Sequence, residues 1–198
     1  IGVGRSLNSR GFGVEDEGVE LGPKGEILTG DGMQTSRPGI YAIGDVTGKV
    51  LLAHVASYQG IVAAHNIAGE DVKADYRAVP SAIFTSPEVA SVGMSSEKAA
   101  EEGIDVVTGK FPFLASGRAV AMGDVEGFVK VLVDRATQRV VGVHIVGPHA
   151  TELLGEATLA VRLGVPVNDL AFTLHAHPTL SEALMEAAEA VHRRAIHI

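Results

Sequence analysis

The 198-residue chain contains no cysteine, which excludes disulfides, thiolate metal sites and any cysteine chemistry performed by the chain itself. Positive charge is scarce. The formal charge is -8, and Arg193 and Arg194 near the end are too few to form a basic patch, so a sequence-independent grip on nucleic acid is not expected. Hydrophobic residues make up 46% of the chain, but Gly, Asp, Glu and Arg interrupt them. No run approaches the roughly 20 apolar residues of a membrane span, and no signal peptide or targeting tail is evident. The composition predicts a globular protein with no membrane partner in a cytoplasmic setting. Several catalytic signatures are also lacking: His-Glu-x-x-His, a phosphate loop ending in Gly-Lys-Ser/Thr, and a Gly-x-Ser-x-Gly elbow. His175 and His177 stand two apart with no third ligand at a recognisable spacing, so no metal site is expected.

What is present is His175-Ala176-His177-Pro178-Thr179-Leu180-Ser181-Glu182, an imidazole and a carboxylate five residues apart at the mouth of a helix. Pro178 disfavours the α conformation for His177, which should be extended and precede the helix. Thr179 reads as the N-cap. Glu182, three residues on, opens an apolar run through Ala183, Leu184, Ala187, Ala188 and Val191, completing a capping-box signature. Two readings stay open. Glu182 either orients His177 and stabilises its imidazolium, so that the ring exchanges a proton near neutral pH, or it only caps its own helix.

Taken in order, Ile1 to Gly4 resembles the end of a buried strand, and a start at Ile1 instead of Met predicts a piece of a longer polypeptide. Val19–Leu21 and Ile27–Thr29 read as small strands among turns. Ile40-Tyr41-Ala42-Ile43-Gly44-Asp45-Val46 is the clearest buried strand of the first half. A helix should follow from about Ala53 to Ala68, with Gly69 at its C-terminus. A carboxylate at a strand end before a helix N-terminus is where open α/β sheets bind ligands: Asp45 can accept from a sugar or polyol, and the amides near Leu52 to His54 favour negative charge. A plain Gly-Asp turn is the alternative. The polar stretch Asp71–Pro80 predicts a domain boundary.

Beyond it, Ile83–Thr85 and Val89–Val92 read as strands around Ser86-Pro87, Ser95–Glu102 as a helix capped by serine, and Asp105–Phe113 as a strand. Gly127–Asp134 and Val140–Val146 alternate well and should pair as a hairpin. Thr151 to Leu163 carries Leu153, Leu154, Ala157, Ala160 and Val161 on one stripe, read as core or subunit interface, with Gly164 as its stop. His144 and His149 read as bystanders. The second half is an α+β unit.

Three segments together resemble one family. Val3-Gly4-Arg5, then Ile40-Tyr41-Ala42-Ile43-Gly44-Asp45 with Leu51-Leu52-Ala53-His54, then His175 to Glu182 are similar to the C-terminal part of the flavin-dependent disulfide oxidoreductases. The resemblance covers essentially the whole chain. Its His-Ala-His-Pro-Thr-Leu-Ser-Glu form is that of members acting on dihydrolipoamide; glutathione reductases usually follow His-Pro-Thr with Ser.

The resemblance implies FAD and NAD as cofactors and a fold of α/β and α+β type: the end of a Rossmann-like FAD/NAD-binding region, then an α+β dimerisation domain with an antiparallel sheet. Residues 1–8 would be the tail of the NAD-binding domain, 9–77 the C-terminal segment of the FAD-binding domain and 78–198 the dimerisation domain. It also implies that Gly44 and Asp45 hold the flavin's ribityl chain. Leu51, Leu52, Ala53 and His54 would bring a helix N-terminus to the isoalloxazine, and Gly4 would approach the nicotinamide nucleotide. His177, beside Pro178 and backed by Glu182, would act as the base on the flavin site of the partner in a homodimer. The implied substrate is dihydrolipoamide on an acyltransferase subunit of a 2-oxo acid dehydrogenase complex, whose peripheral subunit-binding domain is a further expected partner.

The family's Gly-x-Gly-x-x-Gly loop and redox cysteine pair are absent, so the chain alone is expected not to turn over lipoamide. Two alternatives remain: a relative acting on another disulfide such as glutathione, and a truncated dimerising or partner-binding module.

Overall fold

The computed structural model describes residues 2–198; Ile1, part of the opening strand reading, lies outside the described residues. The chain divides into two compact units, residues 1–75 and 76–198.

In the first unit the longest regular element is helix α1 (Ala53–Ile67), which runs to Ala68 and a left-handed Gly69, close to expectation. The segments read as strands are held by isolated bridges instead, Leu21 to Ile27, Thr29 to Thr35 and Gln34 to Tyr41. The expected strand at 40–46 is likewise not one. Tyr41 makes a single bridge, Ile43 is 42% exposed, and Gly44–Thr47 winds into a 3-10 turn. A buried strand needs ladder partners along its length; here Ala42 and Ile40 exchange backbone bonds with Met33 and Thr35, and only Val46 at the far end, among the described residues, accepts from Ile27. Two small clusters hold the unit, one of Val19, Ile27 and Ala42, the other of Met33, Val62 and Ala63. Asn66 staples the second, its amide nitrogen reaching the carbonyls of Gly32, Val62 and Val72 while its oxygen accepts from the Val72 amide.

The second unit completes its own sheet. Strands β1 (Ser81–Ile83), β2 (Glu88–Gly93), β3 (Val106–Pro112), β4 (Phe128–Asp134) and β5 (Val140–Gly147) form one antiparallel sheet in the order β1-β2-β5-β4-β3. The expected hairpin pairs Val129 with Ile145 and Val131 with Val143, all fully buried, so alternate side chains of two neighbouring strands face one core.

Helix α2 (Ser96–Glu101) starts as read, with the Ser95 hydroxyl accepting from the Lys98 amide. Helix α4 (Leu154–Leu163) begins three residues later than expected, because 148–153 forms turns; it buries Leu154, Ala157 and Ala160 against β2 and β5 and ends at a left-handed Gly164. Two short helices without a periodic apolar signal, α3 (Gly117–Met122) and α5 (Val167–Phe172), were not legible. Helix α6 (Glu182–Ala190) lies on β3 and β4. It approaches so closely that a Cβ at Gly109 would overlap the Ala187 carbonyl. That contact sets the height of the helix whose first residue is Glu182.

Candidate functional site

The loop 173–181 runs from α5 to α6 and carries His177 just before the helix; the His177–Pro178 peptide is cis. His177 Nδ1 lies 2.9 Å from Glu182 Oε1. A carboxylate only accepts, so Nδ1 donates and Nε2 is left to take or release a proton. The imidazole is 78% exposed, whereas Glu182 is only 23% exposed. Burial by itself would raise the Glu182 pKa. The Thr179 amide, the His177 hydrogen bond and the nearby His177 and His197 outweigh it and hold the carboxyl below its ordinary range, which favours the ionised acceptor that His177 requires.

The expected N-cap at Thr179 is corrected. The helix starts at Glu182 with Ser181 already in helical conformation and no side-chain cap. The Thr179 hydroxyl donates to the Ala176 carbonyl and contacts Ser181 instead of capping. Half of the capping box remains, since Glu182 Oε2 accepts from the Thr179 amide at 2.8 Å. The two oxygens of Glu182 are thus divided between backbone and imidazole, and the two readings of its spacing coexist.

In the first unit, Asp45 Oδ2 is paired with Arg5 at 2.7 Å, and the same guanidinium donates to the Leu51 carbonyl at 2.7 Å. Arg5 belongs to the quoted Gly-Arg motif but had no assigned role; forty residues separate it from Asp45, beyond the reach of any local periodicity. Asp45 remains 47% exposed on a cleft of about 380 Å³ shared with Arg5, Leu7, Asn8 and Leu51. Gly44 has φ +75°, and a Cβ there would press on Ala56 at 3.1 Å. Its amide donates to the buried Gln59 Oε1 at 2.6 Å. These constraints bring the Gly-Asp step against α1, whose N-terminus at Leu52 and Ala53 has neither a side-chain cap nor an acidic residue in its first turn. Ala53 and His54 are exposed there. A hydroxyl-bearing chain on Asp45 and an electron-rich ring near an uncapped helix N-terminus fit these residues. Gly4 is exposed with φ +85° and nothing within 4 Å of a Cβ position.

His177, Pro178 and Glu182 thus fall in one unit, and Gly4, Gly44, Asp45 and Leu51 to His54 in the other. Spacing gave no signal for two further pairs in the second unit. His175 Nε2 meets Glu156 at 3.0 Å, and His197 Nδ1 meets the buried Glu186 at 2.6 Å, with the Ile196 amide on the same carboxylate. His144 is occupied by the Met94 carbonyl. Among the described residues no group of three or more His, Cys, Asp or Glu is arranged to hold a metal ion, and no helix is long and apolar enough to cross a membrane.

Residues 79–188 match the family described as pyridine nucleotide-disulphide oxidoreductase, dimerisation domain, and residues 1–60 match pyridine nucleotide-disulphide oxidoreductase. A dihydrolipoyl dehydrogenase of Thermus scotoductus is 51% identical over 198 residues, covering 100% of this chain and 43% of its own length. The mitochondrial dihydrolipoyl dehydrogenase of Mus musculus is 49% identical over 93% of this chain and 36% of its own. Among solved structures, LpdA from Mycobacterium tuberculosis superposes with a TM-score of 0.88 at 36% identity, covering 92% of this chain and 40% of that one. The HOCl-induced flavoprotein disulfide reductase RclA from Escherichia coli also reaches 0.88, at 27% identity over 96% of this chain and 44% of that one. The chain therefore spans about two fifths of the length of the curated relatives it matches.

Proposed function

Since the chain belongs to the pyridine nucleotide-disulphide oxidoreductase family, we propose that it is the C-terminal portion of a dihydrolipoyl dehydrogenase, with His177 as its acid-base group. Residues 1–8 are the tail of the NAD-binding domain, 9–77 the end of the FAD-binding domain and 78–198 the dimerisation domain. The observation that carries the reading is the contact between His177 and Glu182: Nδ1 is held at 2.9 Å by an ionised carboxylate while the ring stays 78% exposed, open to a substrate and to a second subunit.

A dihydrolipoamide thiol gives its proton to His177 Nε2. The resulting thiolate attacks a disulfide, which this cysteine-free chain does not supply, because the thiolate and not the thiol is the nucleophile. Glu182 favours the imidazolium that forms and keeps Nδ1 protonated. Asp45 and Gly44 would hold the ribityl chain of FAD, the α1 N-terminus from Leu51 to His54 would favour the negative charge that its ring gains on reduction, and Gly4 would approach the nicotinamide nucleotide. When bound, the flavin passes the electrons of the dithiol to NAD+. The working form is a homodimer in which His177 serves the partner's flavin site. Its substrate is borne by the acyltransferase of a 2-oxo acid dehydrogenase complex, whose peripheral subunit-binding domain docks on the dimerisation domain.

The test is His177→Gln in the full-length enzyme. Lipoamide turnover should fall by about a hundredfold or more, with NADH-dependent ferricyanide reduction, which removes no thiol proton, retained. Turnover near wild type would overturn the base assignment. Activity with glutathione disulfide in place of lipoamide would instead place the protein among the glutathione-type relatives.

A further inference from the structure

His177 is held directly by Glu182, but the loop that presents it has a second mount. Within 172–178 His175 is the one residue that is not exposed; its neighbour Leu174 is 98% exposed. The His175 imidazole itself is only 5% exposed. Its Nδ1 lies 2.8 Å from the Thr173 carbonyl, and its Nε2 lies 3.0 and 3.1 Å from the two oxygens of Glu156. An acceptor thus stands within hydrogen-bond distance of each ring nitrogen, and the ring is flanked on both sides. Glu156 stands in the first turn of α4, where the helix N-terminus favours a carboxylate, and α4 is packed on β2 and β5 through Leu154, Ala157 and Ala160.

We propose that His175 and Glu156 are positioning residues for His177, clamping the loop to α4 so that the exposed imidazole is aimed from two helices at once. Glu182 fixes the ring from α6, and Glu156 fixes the backbone two residues upstream from α4. Without the second mount, the loop's remaining tie near His177 is the α6 side, through Glu182, Thr179 and Leu180. A base misplaced by about 1 Å loses on the order of a hundredfold in rate, so loss of one of two mounts should have a smaller effect, about tenfold.

The proposal rests on His177 being the base, and its test separates the two. In the full-length flavin-loaded enzyme, Glu156→Ala should lower kcat for lipoamide about tenfold with ferricyanide reduction by NADH unchanged. In a His177→Gln background the same substitution should have no further effect, since it acts through the imidazole. A merely structural role predicts loss of both activities alike and an undiminished effect in that background; either result, or an unchanged lipoamide kcat, overturns the proposal. If His177→Gln alone keeps lipoamide turnover, the base assignment fails and the positioning role with it. If His177→Gln abolishes turnover while Glu156→Ala does not lower it, the positioning role alone fails. Should Glu156→Ala lose flavin or melt early, Glu156→Leu, which keeps the bulk and removes the acceptor, carries the same comparison.

Discussion

The two units use their apolar residues in opposite ways. Residues 76–198 close a five-stranded sheet over a core in which Phe111, Phe113, Val129, Val131, Val143 and Ile145 are at most 2% exposed. Residues 2–75 hold three or so buried side chains in each of two clusters and rely on α1 and on hydrogen bonds from Asn66 and Gln59. Ile43 and Ile61 are left 42% and 59% exposed. A five-stranded sheet satisfies the backbone of its inner strands, whereas a lone strand-like segment such as 40–46 does not. The imidazole proposed to move the proton stands on the first kind of scaffold, and the residues proposed to face the cofactor stand on the second.

The largest expected break in this contrast is Phe113→Ala. Phe113 is fully buried in the core of the second unit, and its truncation should cost about 3–5 kcal/mol. Hydrogen exchange should then accelerate across β3, β4 and β5 and leave the amides of α1 unchanged; equal acceleration in both units would show that they unfold as one.

Gln59→Leu probes the opposite side. It leaves the buried Gly44 amide without its acceptor, a loss of about 1–3 kcal/mol that should appear in exchange at 44–60 and not in the sheet. Protection of the β4 and β5 amides falling equally would contradict the division.

Acid sharpens the contrast most gently. Glu88 is held below its ordinary value of 4.5 by the Thr151 amide first and the Thr151 hydroxyl second, and Glu182 lies below the same value against the opposing effect of its burial. A depressed folded-state pKa contributes stability that is complete above about 4.5 and is lost as pH falls through the folded value. The midpoint of the second unit should therefore fall with acidification below about pH 4.5, and Glu88→Gln should flatten that dependence. An unchanged slope in the variant would remove Glu88 from the account.

Much of the second unit was legible because its signals are local. Good though incomplete alternation gave β4 and β5, Ser95 and Gly103 bracketed α2, and the stripe of Leu154, Ala157 and Ala160 gave α4. The helix onset near 180 is displaced by two residues because the Thr179 side chain has two nearby competitors, the Ala176 carbonyl and Ser181, and only the folded loop selects them over the helix amide. The segment 40–46 has the apolar content of a strand, but strand formation depends on neighbours that composition does not report.

The sequence by itself determined the family resemblance, the cysteine-free chemistry and the spacing of five that lets His177 and Glu182 meet across one turn. Spacing of that kind is a property of the local chain. The tertiary structure alone decided that Arg5 sits on Asp45, that Glu186 grips His197, and that His175 turns inward onto Glu156 while His177 stays in the open. Those contacts join residues 11 to 40 positions apart. Such pairs come into reach only once burial and helix packing have spent the entropy of closing the loops between them.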